Sequence, residues 1–272
     1  MYLKVKEANS FIDIKKINEP ILVKSGCRDM SAVKKWNKKY LKEKLGNLNF
    51  NIESYKRIED MEIMKTKKTD MKFNQFIDIC DRSKYGPFYY LAEEDLEDIK
   101  FNIDEEVYFD IFGYIDSVFD NLESNKLFIG SNCKTGCHIH VSSDFILNQL
   151  VGNKIVYLFD YSEKYVSSRR FFSSSFNFSR ENFFRMSHKG KKIYKVMLKP
   201  GDSLCIPPWW WHATIGIGFS CSITKVFKRK DTKYFYKNPY LVLMLVRQIV
   251  AIYVLEYLIW ILEKILNIDI NK

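Results

Sequence analysis

His138 and His140 stand one residue apart in the stretch "KTGCHIHVSSD" (134–144), and His212 lies in a second stretch, "KPGDSLCIPPWWWHATIG" (199–216). The 272 residues hold only 4 histidines, so most of the chain's imidazole is gathered into two short blocks. Imidazole nitrogens are the commonest protein ligands for first-row transition metals. Two rings from one strand and a third from a distant strand would make a small facial metal site in the mouth of a barrel. The competing reading is three ordinary half-buried histidines. It serves for any one of them alone, but poorly for three together in blocks that share a turn-and-strand pattern.

Strands are needed to carry these rings. Pro200, Gly201 and Asp202 read as a tight turn, "SLCI" (203–206) as a strand, and Pro207-Pro208 as its end. From Lys126 onward, short β-branched and aromatic runs are separated by polar stretches: "LFIG" (127–130), "KIVYLF" (154–159), "IYKVML" (193–198) and "SCSITKVF" (220–227). That spacing predicts an antiparallel barrel or jelly roll. Residues 162–192, rich in Ser, Arg and Phe, read as a long insertion over one face. Upstream, "ILVK" (21–24) reads as a strand. The segment 31–46 reads as one helix, with Ser31 as N-cap, Gly46 as C-terminal stop, and Ala32, Val33, Trp36, Tyr40, Leu41 and Leu45 at helical spacing. The acidic, aromatic segments 89–98 and 105–121 read as helices or helical turns. No internal repeat is visible.

Apolar residues make up 47% of the chain and aromatics 16%, enough for a packed core and against disorder. The formal charge of +10 is dispersed and reads as a solvated surface. An acidic partner is the alternative, although no motif singles out nucleic acid. Six cysteines without CxxC pairs, and a Lys-rich N-terminus unlike a signal peptide, point to an intracellular compartment, cytoplasmic or nuclear. The stretch 240–266 is apolar apart from Arg247, Gln248, Glu256, Glu263 and Lys264. A bilayer-spanning helix needs roughly 20 mostly apolar residues, and the charge-free run 248–255 is shorter. Helices that pack on the barrel or on a second subunit are expected here, with membrane association through a tail anchor as the alternative. The chain thus divides into an N-terminal α/β segment (1–125), a β core (126–230) and C-terminal hydrophobic helices (231–272).

The order "LFIGSNCKTGCHIH…QLVGNKIVYLF" and then "MLKPGDSLCIPPWWWH" resembles the cupin-like JmjC oxygenases, the group that includes the factor-inhibiting-HIF-type protein hydroxylases. Upstream, "EPILVKSGCRDMSAVKKWNKKYLKEKLGN" and "FYYLAEEDLED" are similar to that family's N-terminal strand and helix and to the segment before its core, so the likeness covers roughly 17–228. It implies a mainly β fold with α elements, a double-stranded β-helix (cupin or jelly-roll) core behind N-terminal helices. It also implies iron(II) held by a His-x-Asp/Glu pair and a distant histidine, with 2-oxoglutarate as cosubstrate. His138 matches the first histidine, with Thr135 as a cosubstrate-binding threonine, and His212 matches the distant one. Lys154, in "Q-x-x-G-x-K" with Gln149 and Gly152, matches the lysine that pairs with the cosubstrate's distal carboxylate, helped by a tyrosine that maps to Tyr90.

Two positions depart from the pattern. His140 stands where the acid ligand belongs, which implies a three-histidine set unless Asp144, four residues on, supplies a carboxylate or orients a ring; His140 with Ser142 is a competing register. Lys225 stands where relatives often place an asparagine near the cosubstrate, and either holds an anion or crowds the pocket. The resemblance implies an Fe(II)- and 2-oxoglutarate-dependent oxygenase, a hydroxylase or demethylase, acting on a protein side chain or another macromolecule, and a homodimer formed through the C-terminal helices. The alternatives are a catalytically degenerate binding or scaffold protein, and a three-histidine dioxygenase without 2-oxoglutarate.

Overall fold

The computed structural model describes residues 1–14, 18–80, 86–99, 104–108, 119–140, 143–167 and 177–229, and then 246, 249–250, 253–254, 257–258 and 260–261. Its strands are β1 (Lys6–Ala8), β2 (Ile21–Val23), β3 (Asn49–Tyr55), β4 (Lys67–Lys72), β5 (Phe88–Asp95), β6 (Phe119–Ser131), β7 (Lys134–His138), β8 (Ser143–Asp160), β9 (Tyr194–Leu198), β10 (Ser203–Ile206) and β11 (Trp210–Arg229). They hydrogen-bond in the order β1-β2-β10-β8-β11-β6-β5-β3-β4, with β7 beside β11 and β9 beside β8. The chain is mainly β, and this arrangement fits a jelly roll.

The two long strands make the roll. β8 and β11 run antiparallel from Trp210↔Asp160 to Lys228↔Ser143, and their register shifts between Ile217 and Cys221. At that corner Gly152 has φ +67, and a Cβ there would lie 2.1 Å from the Phe219 carbonyl oxygen, so only glycine fits. The Gln149 amide spans the corner, donating to the carbonyls of Val151 (2.7 Å) and Gly152 (3.1 Å) and to Ser220 Oγ (3.0 Å). Before the corner β8 pairs with β10, and after it with β9, so one strand serves both walls of the roll.

Among the described residues up to 229, four short helices accompany the strands: α1 (Ser31–Lys35), α2 (Lys38–Leu45), α3 (Ile58–Glu62) and α4 (Phe73–Ile79). Trp36, Leu41, Leu45, Phe73 and Phe76 join Leu127, Ile129 and Ile223 in one buried cluster, which seals the outer face of the β6–β11 ladder. The single helix expected over 31–46 is two. Trp36 is extended, and Asn37 caps α2 by accepting from the Tyr40 amide at 3.0 Å. An asparagine satisfies the backbone better at an N-cap than inside a helix, so the chain breaks there. Ser31 is already helical, and Met30 is the cap residue. The segment 89–98 is a strand followed by a short 3-10 turn over Leu96–Asp98, because Tyr90 and Leu91 alternate between the two faces of β5. Of 105–121, Asp104–Glu106 form a 3-10 turn and β6 begins at Phe119; residues 109–118 lie outside the described residues.

Part of the insertion, 177–179, lies along β7: the Ile139 amide donates to the Asn177 carbonyl at 2.9 Å and the Ser179 amide to that of Cys137 at 2.8 Å. Residues Met1–Ser168 and Asn177–Lys230 form one compact unit, and Arg169–Phe176 with Asp231–Lys272 form a second. The expected C-terminal helices fall largely outside the described residues. Those described there, such as Val246, Tyr253 and Trp260, are helical. No helix among the described residues is long and apolar enough to cross a membrane.

Candidate metal centre

His138 ends β7, and His212 lies directly across from it on β11. His140 follows β7, where its carbonyl accepts from the Trp209 amide at 2.8 Å and its ring stacks on Phe145 at 3.7 Å between centroids. The three rings converge: one ring nitrogen from each lies within 4.8 Å of the others. His138 Nδ1 is 2.9 Å from the Gly136 carbonyl oxygen and His212 Nδ1 is 3.0 Å from that of Trp210. A carbonyl only accepts, so both Nδ1 atoms carry the proton and both Nε2 lone pairs are left for a ligand. Backbone partners of this kind are how metal-binding histidines are oriented. Burial lowers the pKa of all three rings, and mutual repulsion lowers those of His140 and His212 further. The rings are therefore neutral at pH 7, the form that ligates a metal without first losing a proton.

The same rings line a cavity of roughly 260 Å³, and Tyr90, Thr135 and Lys154 line it too. Lys154 is buried and donates to Ser222 Oγ across the two walls of the roll. Burial brings its pKa down to about 8, and the groups that push it back up are the thiols of Cys221 and Cys133. No carboxylate among the described residues takes part. Tyr90 and Thr135 share a hydrogen bond beside it. A buried cation with hydroxyl donors is the environment that a carboxylate of a small anion requires. The donor set thus fits a first-row metal ion and the carboxylate of a small anion.

Asp144 does not join the histidines. The alternation that turns Phe145 and Leu147 into the cavity turns Asp144 and Ile146 to the other face of β8, where Asp144 lies close enough to Cys205 to raise its pKa further. Lys225 lies off the cavity lining for the same reason. Thr224 and Val226 line the cavity, and Lys225 between them points away, donating to Asn125 Oδ1 at 3.1 Å. It neither holds an anion in the cavity nor crowds it. Ser142 lies outside the described residues.

A cupin-like domain is matched over residues 7–226. The chain belongs to the cupin-like family. No curated protein matches the chain.

Two features of this cupin-like site were not read from the sequence. Glu93 lines the cavity from β5, in a segment whose acidic run suggested a helix. The buried Glu62 ties α3 to β7 and to the insertion: it accepts from Lys134 Nζ at 2.6 Å, Asn182 Nδ2 at 2.9 Å and Arg185 Nε at 2.9 Å. Gly136 sits against it, where a Cβ would lie 2.7 Å from the Glu62 carbonyl oxygen. This hub fixes the strand that carries His138, and its partners lie 72 to 123 residues from Glu62, so nothing local signals it.

Proposed function

We propose that this cupin-like domain is an Fe(II)- and 2-oxoglutarate-dependent oxygenase, a hydroxylase or demethylase, acting on a protein side chain or another macromolecule. The observation that carries the reading is the convergence of three neutral imidazoles, two of them oriented by backbone carbonyls, on one cavity with a buried lysine that lacks an anionic partner among the described residues. His138, His140 and His212 would hold the metal, and Lys154, Tyr90 and Thr135 the cosubstrate. When bound, iron and 2-oxoglutarate supply the oxidation: dioxygen gives one oxygen atom to the substrate carbon and one to succinate, with release of carbon dioxide.

The chain's own share is positioning and exclusion of water. The Gly136 and Trp210 carbonyls fix two rings by their Nδ1 protons. Phe145 covers one face of His140, and Leu147, Ile206 and Val226 make an apolar wall around the reacting volume. Lys154 holds the anion from the wall where it reaches Ser222, and the solvent-exposed Glu93 lines the same cavity.

Anaerobic titration with iron(II) and then 2-oxoglutarate is expected to give a visible charge-transfer band, and admission of oxygen to release succinate. A protein that takes up metal yet gives neither signal is not this oxygenase. The second reading, a binding protein without turnover, is favoured by the lack of a carboxylate in the histidine cluster among the described residues. Metal uptake with no response to 2-oxoglutarate would select it.

A further inference from the structure

β5 carries one residue too many for its neighbour. Leu91 pairs with Ile129 and Glu94 with Leu127, so three steps on β5 oppose two on β6. Ala92 and Glu93 together face Phe128, a β-bulge, and Glu93 has φ +59. Side chains other than glycine rarely adopt that conformation, and such positions concentrate where a side chain has to be aimed. Plain alternation would turn Glu93 with Leu91 into the packed outer layer. The bulge turns it into the cavity instead.

Its surroundings suit a cation. Glu93 makes no hydrogen bond or ion pair with any described residue, whereas Lys126 beside it is bound to Asp95 at 2.7 Å. It is the one carboxylate lining the cavity among the described residues, and its charge reaches both His138 and Tyr90. It stands outside the group of ring nitrogens that lie within 4.8 Å of one another, so it is placed to meet a substrate rather than to ligate. The cavity's walls include the apolar Phe128, Phe145, Leu147 and Val226, with Ser124, Thr224 and the Asp95-paired Lys126 also lining it. Apolar walls that end at one carboxylate complement an alkyl stem that ends in a positive charge.

We propose that Glu93 sets substrate specificity by holding a cationic side chain, an ammonium or guanidinium on an alkyl stem, so that the stem's carbons lie against the histidine cluster. The identity of the reaction rests on the oxygenase reading; the binding preference does not. The chain's +10 formal charge repels a basic partner at long range, so discrimination has to come from contact with Glu93.

The test is binding of short Gly/Ser peptides with Lys, Arg, norleucine, citrulline or Glu at one position to the full chain loaded with manganese(II) and 2-oxoglutarate, read by fluorescence anisotropy. The Lys or the Arg peptide is expected to bind about tenfold tighter than its neutral isostere, the scale of one charge-assisted contact. Glu93→Gln should erase that preference, and Glu93→Lys should turn it toward the Glu peptide, both with unchanged thermal midpoints. Equal binding of charged and neutral peptides to the wild type, including no binding of any, overturns the proposal. So does a preference that survives Glu93→Gln. Manganese affinity is measured in parallel. If Glu93→Gln lowers it as far as His138→Ala does, Glu93 is a metal ligand and the substrate role is wrong. A charge preference without succinate release would leave Glu93's role standing and refute the oxygenase reading.

Discussion

Replacing Lys154 with methionine separates the anchor from the metal. Burial lowers its pKa from the ordinary 10.5 to about 8. A fall of about 2.5, at about 1.4 kcal/mol for each unit, amounts to about 3 kcal/mol held against the folded state while the lysine is charged. The sign follows from which state binds more protons. Between pH 8 and 10.5 the unfolded chain keeps the proton and the folded chain sheds it, so this group makes the ligand-free protein more stable as pH rises through that window. At pH 7 the cost is present in full. A bound carboxylate reverses it by pairing with the ammonium. 2-Oxoglutarate should therefore bind with proton uptake near pH 8, and its affinity should fall above that pH, approaching tenfold per unit. In Lys154→Met, 2-oxoglutarate affinity should drop by roughly 3–5 kcal/mol and lose its pH dependence. The ligand-free variant should gain about 1–3 kcal/mol of stability, because an apolar side chain replaces a buried charge. Calorimetry on the manganese-loaded protein at pH 7, 8 and 9, in buffers of different ionisation enthalpy, reads all of this except the stability, which a thermal melt reads. An unchanged affinity in the variant, or binding that ignores pH across that range, would refute the assignment.

Three further outcomes are expected. His140→Ala should lower iron(II) affinity as far as His138→Ala does, by more than the roughly 10–100-fold of an outer-shell change, and an unaltered affinity would remove His140 from the metal. Glu62→Gln should lower stability by about 1–3 kcal/mol in denaturant melts. Burial pushes the Glu62 pKa up, but the bonds from Lys134, Asn182 and Arg185 outweigh it and hold the pKa low, so this contribution is present above the ordinary carboxylate range and lost as pH falls below it. Deleting residues 239–272 should give a monomer or an aggregating protein by light scattering, whereas a full chain that fractionates with membranes would make the tail an anchor.

The sequence made the strands of the roll legible because β-branched and aromatic runs such as 154–159 and 220–227 announce themselves locally. The histidines were legible through scarcity, and Lys154 through its spacing from Gln149 and Gly152. What failed was strand phase. Asp144 and Lys225 are each one residue from a cavity-lining neighbour, and a period of two sends them to the opposite face. Nothing local reports that phase, which is set by pairing with strands more than 50 residues away. Glu93 was hidden differently. Its bulge is a property of two strands together, and the acidic run around it imitates a solvated helix. The break at Trp36–Asn37 had a local signal, the capping asparagine, but the helical spacing across it was more conspicuous.

The corner in β8 and β11 explains why such phase errors matter for function. Before the corner β8 supplies Phe145 against His140; after it, the same strand supplies Lys154. β11 does the converse, bringing His212 and Thr214 on one side and Ser222 and Thr224 on the other. Metal centre and anion anchor are therefore positioned by one pair of strands whose relative slip of a single residue would turn every one of these side chains outward. Gln149 and Gly152 pin that register, the amide by satisfying the corner's carbonyls and the glycine by admitting Phe219. On this account the glutamine and glycine of "Q-x-x-G-x-K" touch neither metal nor cosubstrate, and they are as necessary to the site as the lysine they deliver.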